Sequence, residues 1–239
     1  MQAGIQISSF APLMKDRDGL KRVLAFMADI GCTVTQLQWI DKSIPPAEVA
    51  GMLREFGITT VGVQDKARAV AEDEDYYMSL TRLSGAGDLC LSGVCEMGRE
   101  AFIALADKLH AKGVTLSCHP TKRDFEGALD FVMERCPYLR LVPDSCQFHD
   151  ACKDMLSALE KYAGRIETVH FKDRNACGAL CPAGEGLIDF ERITRACKKA
   201  NVQYLLAEQE TWADAFKELA CGFKHTKMLA ESSISRAIL

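Results

Sequence analysis

Eight short β-prone runs alternate with amphipathic stretches along the whole of this chain, and few folds accommodate that order. The runs are GIQISS (4–9), TVTQLQW (33–39), ITTVGV (58–63), DLCLSG (88–93), VTLSC (114–118), LRLV (139–142), IETVHF (166–171) and VQYLLAE (202–208). Between the first two, Leu20, Val23, Leu24, Met27 and Ile30 recur at helical spacing, and Gly31 follows as a stop. Pro45 and Pro46 open a second helix with Val49, Met52, Leu53 and Phe56 on one face, closed by Gly57. Phe102, Leu105, Ala106 and Leu109 repeat the pattern before Gly113. Asp189 has the character of an N-cap for 190–200, with Ile193, Ala196 and Cys197 inward. Further helices are expected near 74–84, 124–135, 151–163 and 212–230. Eight such units in 239 residues predict an α/β fold, a (β/α)8 TIM barrel forming a single domain over 1–239. The competing doubly wound sheet has a glycine-rich first turn. Here SSFAPLMKD follows the first run, with no glycine until Gly19.

Composition narrows the partners. A net charge of −4 argues against a general polyanion binder, so no nucleic acid is expected. No apolar run approaches the ~18–20 residues that span a bilayer, so no membrane association is expected. MQAGIQISSF lacks the charged and apolar regions of a signal peptide. The eleven cysteines are scattered without a CxxC pair, which disfavours a zinc ribbon and suits reduced, mostly packed thiols in a cytoplasmic protein.

In a parallel barrel the chemistry sits at the C-terminal ends of the strands. The first four runs end in Ser8 and Ser9, then Gln36, Gln38 and Trp39, then Gln64 and Asp65, then Ser92. The last four end at His119, Asp144, His170 and Glu208, with Glu210 two residues on. Two imidazoles and two carboxylates delivered to one rim suit a divalent cation such as Mn, Zn, Fe, Co or Mg, whose open position could act as a Lewis acid. The bland alternatives are hydrogen-bonded rim histidines, an Asp144 that caps a turn or helix after Pro143, and solvated glutamates. Lys172 is a candidate partner for a substrate oxygen, and Asp173 reads as half of a Lys-Asp surface pair. Lys122, Arg123 and Arg174 could hold an anionic group or simply line solvated loops. GEG at 184–186 reads as shaping the entry to the next helix.

At GVTLSCHP, VPDSCQFHD, VHFKDR, GEGLIDF and LLAEQE, and more faintly at GIQISSF and GCTVTQLQ, the chain resembles the sugar phosphate isomerase/epimerase superfamily, the xylose isomerase-like TIM barrels. That group includes ketose 3-epimerases, hydroxypyruvate isomerase, inosose dehydratase and endonuclease IV. The resemblance implies a metal site of His119, Asp144, His170 and Glu208, with His119 at or one place from a position that is glutamate in the epimerases. It implies that Glu208 both binds metal and exchanges a proton with carbon, with Lys172 and Glu210 as candidates for the second proton-transfer group. Gln36, Trp39, Gln64 and Arg174 are then candidate contacts to a small carbohydrate substrate. The chain departs from the family at Gln36, where a glutamate is common, and at Gln147, where DSCQ replaces DxxH. The implied activity is isomerisation or epimerisation of a small sugar, sugar phosphate or polyol, by proton abstraction next to a metal-polarised carbonyl. The alternatives are an inosose dehydratase-like lyase and a non-catalytic sugar-binding barrel. A homodimer is the expected assembly, although little chain follows the eighth run to build one.

Overall fold

Both faces of the expected strands are buried. In a computed structural model that describes residues 1–210 and 214–232, the segments Val34–Gln38, Leu89–Ser92, Leu116–His119 and Thr168–Phe171 are buried at every position. Strands covered on both sides belong to a parallel sheet wrapped by helices. Among the described residues, eight parallel strands form one sheet: β1 (Gln2–Gln6), β2 (Val34–Gln38), β3 (Thr59–Lys66), β4 (Leu89–Ser92), β5 (Leu116–His119), β6 (Arg140–Leu141), β7 (Thr168–Phe171) and β8 (Tyr204–Ala207). Their order is β6-β5-β4-β3-β2-β1-β8-β7. The ends of that order meet through one parallel bridge between Asp144 and His170, with the His170 N–H donating to the Pro143 carbonyl at 2.9 Å. The sheet is therefore a nearly closed (β/α)8 barrel.

The outer layer follows from the helical periodicity. Leu20, Val23, Leu24 and Met27 are buried on the helix Arg17–Asp29, which Asp16 caps by accepting the Gly19 N–H. Val49, Met52 and Leu53 are buried on Pro46–Glu55, and Phe102, Leu105, Ala106 and Leu109 on Arg99–Ala111. Asp189 caps Phe190–Lys199 through the Arg192 N–H, with Ile193 and Cys197 buried and Ala196 half-buried.

The structure corrects the sequence reading in three places. The first strand ends at Gln6, and Ile7–Leu13 turn into a 3-10 helix that contains Pro12. The helix expected over 124–135 starts at Ala128, because Gly127 at φ +94° breaks it from the 3-10 turn Lys122–Phe125. The helix expected over 151–163 is shorter, Met155–Lys161 capped by Asp154, and an unexpected short helix, Ser145–Asp150 capped by Asp144, precedes it. The last helix runs over Ala215–Glu231, and the first residues expected in it, 212 and 213, lie outside the described residues.

The barrel interior is polar near its N-terminal end too. Asp88, just before β4, is buried and hydrogen-bonded by the Ser117 hydroxyl of β5, while its Oδ1 has no partner. Burial, only partly offset by Ser117 and Arg140, pushes its carboxyl from 3.8 up to about 7. Between those values the folded state holds a proton that the unfolded chain has released. Asp88 therefore costs stability as pH rises through that window. Urea unfolding of Asp88→Asn and the native protein at pH 4 and pH 8 is expected to show the variant gaining on the order of 2–4 kcal/mol relative to wild type across the range. Parallel pH profiles would contradict this.

Candidate metal centre

Strand alternation puts Ser117 and His119 on one face of β5, and His170 and Lys172 on one face of the chain leaving β7. The barrel closure at Asp144 and His170 then brings the ends of β5 to β8 together. His119, Asp144, His170 and Glu208 each offer one donor atom, and these four atoms lie within 4.8 Å of one another. All four residues are buried, none more than 6% exposed. His119 Nε2 is 3.7 Å from Asp144 Oδ2, and His170 Nδ1 is 3.0 Å from Glu208 Oε2 without hydrogen-bond geometry. The two imidazole centroids stand 5.1 Å apart.

In these residues His119 Nε2, Asp144 Oδ2, His170 Nδ1 and Glu208 Oε2 are buried without a hydrogen-bond partner. Each such atom costs about 1–3 kcal/mol when unpaired. Donors bound to one ion at about 2.1 Å stand at most about 4.2 Å apart, so adjustments of about half an ångström would let all four share a cation. A set of two nitrogens and two carboxylate oxygens fits Zn, Mn, Fe or Co better than a thiolate-seeking ion.

The remaining atoms of these residues are held in place. Asp144 Oδ1 accepts the Gln147 N–H at 2.9 Å and caps the helix Ser145–Asp150. The capping alternative and the cluster are thus satisfied by different oxygens of one carboxylate. His170 Nε2 is 2.7 Å from Gln36 Oε1. Lys172 Nζ, also buried, donates to Glu208 Oε1 at 3.1 Å and to Glu210 Oε2 at 2.5 Å.

The three charges around Lys172 are shifted in distinct directions. Burial opposes the Lys172 charge, but Glu208, Asp144 and Glu210 outweigh it and hold the ammonium well above its ordinary range. Burial likewise opposes a charged Glu208, but Lys172 and His170 hold its carboxyl well below the usual carboxylate range. Glu210 is moved the other way, by burial and by the Glu208 charge.

The other sequence candidates are spread more widely. Gln36 is buried beneath His170. Gln64, also buried, has its Oε1 3.5 Å from Gln6 Nε2. Trp39 is 39% exposed at the end of β2, in a left-handed backbone conformation (φ +54°). Arg174 is engaged away from the cluster, its Nε donating to Asp150 Oδ1 at 2.7 Å and its Nη1 to the Gly178 carbonyl at 2.8 Å. Gln147 Oε1 accepts the Lys122 N–H at 2.7 Å, tying the loop after β5 to the one after β6. Asp173 is corrected outright. It is fully buried, and its carboxylate accepts the N–H groups of Arg174, Gly184, Gly186 and Ile188 at 2.9–3.2 Å. A Cβ at Gly186 would collide with the Arg174 carbonyl and Asp173 Oδ1, which is why the GEG loop needs glycine there.

Sequence reasoning missed two supports. Gln6 donates to Gln36 Oε1 at 2.8 Å, a contact set by the register Gln6↔Gln36 between β1 and β2. Ser145 Oγ accepts the Lys172 N–H at 2.9 Å and donates to the Lys172 carbonyl at 2.6 Å, fixing the chain that carries the lysine. Alternation along a single strand carries no register, so the sequence offers no signal for the first of these.

A family model described as xylose isomerase-like TIM barrel matches residues 13–227. The chain belongs to that family. Xylose isomerase-like barrels of similar shape include a sugar phosphate isomerase/epimerase from Parabacteroides distasonis, with TM-score 0.74, 15% identity, and coverage of 94% of this chain and 97% of that one. An L-ribulose 3-epimerase aligns with TM-score 0.73 at 17% identity, covering 96% and 94%. A probable 3-DHS dehydratase from Bacillus anthracis aligns with TM-score 0.71 at 12% identity, covering 94% and 98%. No curated protein sequence matches significantly. Among the described residues no helix is long and apolar enough to cross a membrane.

If the four donors of this xylose isomerase-like barrel share an ion, adding Mn²⁺ or Zn²⁺ at one hundred times its Kd stabilises the fold by about 2.7 kcal/mol. Thermal unfolding of the metal-stripped protein is expected to move up on addition. The shift should vanish in His119→Ala, and equal shifts in the two proteins would rule the cluster out.

Proposed function

We propose that the chain is a metal-dependent isomerase or epimerase acting on a small sugar or polyol. The single observation that carries this reading is the convergence of four unpartnered buried donors beside the Glu208–Lys172–Glu210 chain. A divalent cation held by His119, Asp144, His170 and Glu208 would supply Lewis acidity, polarising a carbonyl and acidifying the neighbouring C–H.

The protein's own groups then divide the remaining work. Glu208 stays ionised, because Lys172 and His170 lower its pKa, and so serves as a charged donor. Glu210 carries the raised pKa of the pair, which suits a group that takes a proton from carbon and returns it. Lys172 bridges the two carboxylates and presents a cation where negative charge develops on a substrate oxygen. Trp39, exposed at the end of β2, is the group assigned to stack on a sugar ring. Gln36 and Arg174 are assigned no substrate contact, since each is already engaged within the protein.

A lyase shares the first step and then expels a β-hydroxyl. His119, at or one place from a position that is glutamate in the epimerases, favours this second reading, because it leaves the site with one carboxylate fewer for a two-base exchange.

A panel of ketoses and inososes incubated in D₂O with Mn²⁺-loaded protein tests the proposal. Deuterium is expected at the carbon next to the carbonyl, and Glu210→Gln is expected to lower the exchange rate by about 10²–10⁴-fold without loss of bound Mn²⁺. An unsaturated product absorbing in the ultraviolet would select the lyase. Mn²⁺ bound without exchange across the panel would leave a non-catalytic sugar-binding barrel.

A further inference from the structure

We propose that Gln36 is a positioning residue that decides which nitrogen of His170 faces the four-donor cluster. The inference deepens the metal-site reading and rests on it. Gln36 lies in β2 at 1% exposure, on the opposite side of the His170 ring from Glu208. Its Oε1 accepts from Gln6 Nε2 at 2.8 Å and lies 2.7 Å from His170 Nε2.

An amide can be turned end for end, so the sense of this chain needs an anchor that cannot flip. The Ser8 backbone N–H supplies it. A backbone N–H only donates, and this one points at Gln6 Oε1 across a long 3.5 Å contact. Gln6 must then present its NH₂ to Gln36, and Gln36 must present its oxygen both to Gln6 and to His170. An oxygen cannot donate, so the proton of the neutral imidazole sits on Nε2. Nδ1 keeps its lone pair, on the side of the ring nearest Glu208 Oε2 and the other two donors.

The alternative tautomer is close at hand. With the proton on Nδ1, a small turn of the ring would let it donate to Glu208 Oε2, 3.0 Å away. That would close this side of the cluster on itself and leave His170 no lone pair for an ion. Gln36 removes this alternative and also fixes the ring plane. Because it is an amide and not a carboxylate, it does so without drawing the Nε2 proton strongly, so His170 is a weaker base than a carboxylate partner would make it.

The test combines a tautomer readout with an affinity readout. ¹⁵N NMR of His170 in the Zn²⁺-loaded native protein is expected to show a proton on Nε2 that exchanges slowly with solvent. Gln36→Met, close in volume and unable to accept an N–H, is expected to lose that protection and to weaken Zn²⁺ binding by about 10–100-fold in competition with a chromophoric chelator. Gln36→Glu, which restores an acceptor, is expected to bind Zn²⁺ at least as tightly as the native protein and confirms that a loss in Gln36→Met is not misfolding. Native Zn²⁺ affinity in a folded Gln36→Met, or a proton on His170 Nδ1 in the native protein, overturns the proposal. If the native protein binds no Zn²⁺, the metal reading fails, and the apo spectra judge Gln36 alone. A native Nε2 proton that becomes shared between both nitrogens in Gln36→Met would then keep the orienting role and discard the ion.

Discussion

Four polar atoms face one another inside a barrel with no hydrogen-bond partner between them, and most of what is distinctive in the structure follows from that convergence. Unpaired buried donors and acceptors are expensive, and two carboxylates set against two imidazole lone pairs add electrostatic cost unless a positive charge joins them. The fold is closed at this point. Where the other neighbouring strands share ladders, β7 meets the β6 segment through the single Asp144–His170 bridge, and both bridging residues belong to the cluster. The contact that closes the barrel is therefore also the one that brings two of the four donors together.

Around the donors, each residue is fixed by its remaining atoms. Asp144 uses one oxygen to start a helix, His170 uses one nitrogen on Gln36, and Glu208 uses one oxygen on Lys172. Ser145 holds both backbone groups of Lys172, and Asp173 gathers four N–H groups of the loop that follows. Such support keeps donors in place before a ligand arrives, so ordering entropy is spent in folding and not in binding. The Glu208–Lys172–Glu210 chain joins this rigid set to the exchangeable side of the site, with one carboxyl held ionised and the other moved toward neutrality.

Some of this was legible in the residues. The eight strands could be read because they are mostly buried runs and several are followed by a helix with a clear apolar stripe, as at Leu20, Val23, Leu24 and Met27. The four donors could be read because they occur at the same level of successive units. Helix ends were less visible. Nothing in 124–135 announces a break except Gly127, and its φ of +94° is a property of the packed chain. Asp173 reads as a surface charge because its four N–H partners lie up to fifteen residues away, brought back by the loop. Gln36 was noticed as a departure, but its role depends on a register with Gln6 thirty residues earlier, and local pattern carries no register information.

Anomalous diffraction from crystals soaked in Mn²⁺ or Zn²⁺ tests the central claim most directly. A shared ion requires one strong peak inside the barrel mouth, at about 2.0–2.2 Å from His119 Nε2, Asp144 Oδ2, His170 Nδ1 and Glu208 Oε2. An empty cluster in crystals that carry the ion elsewhere, or a refined His170 that donates from Nδ1 to Glu208, would contradict it.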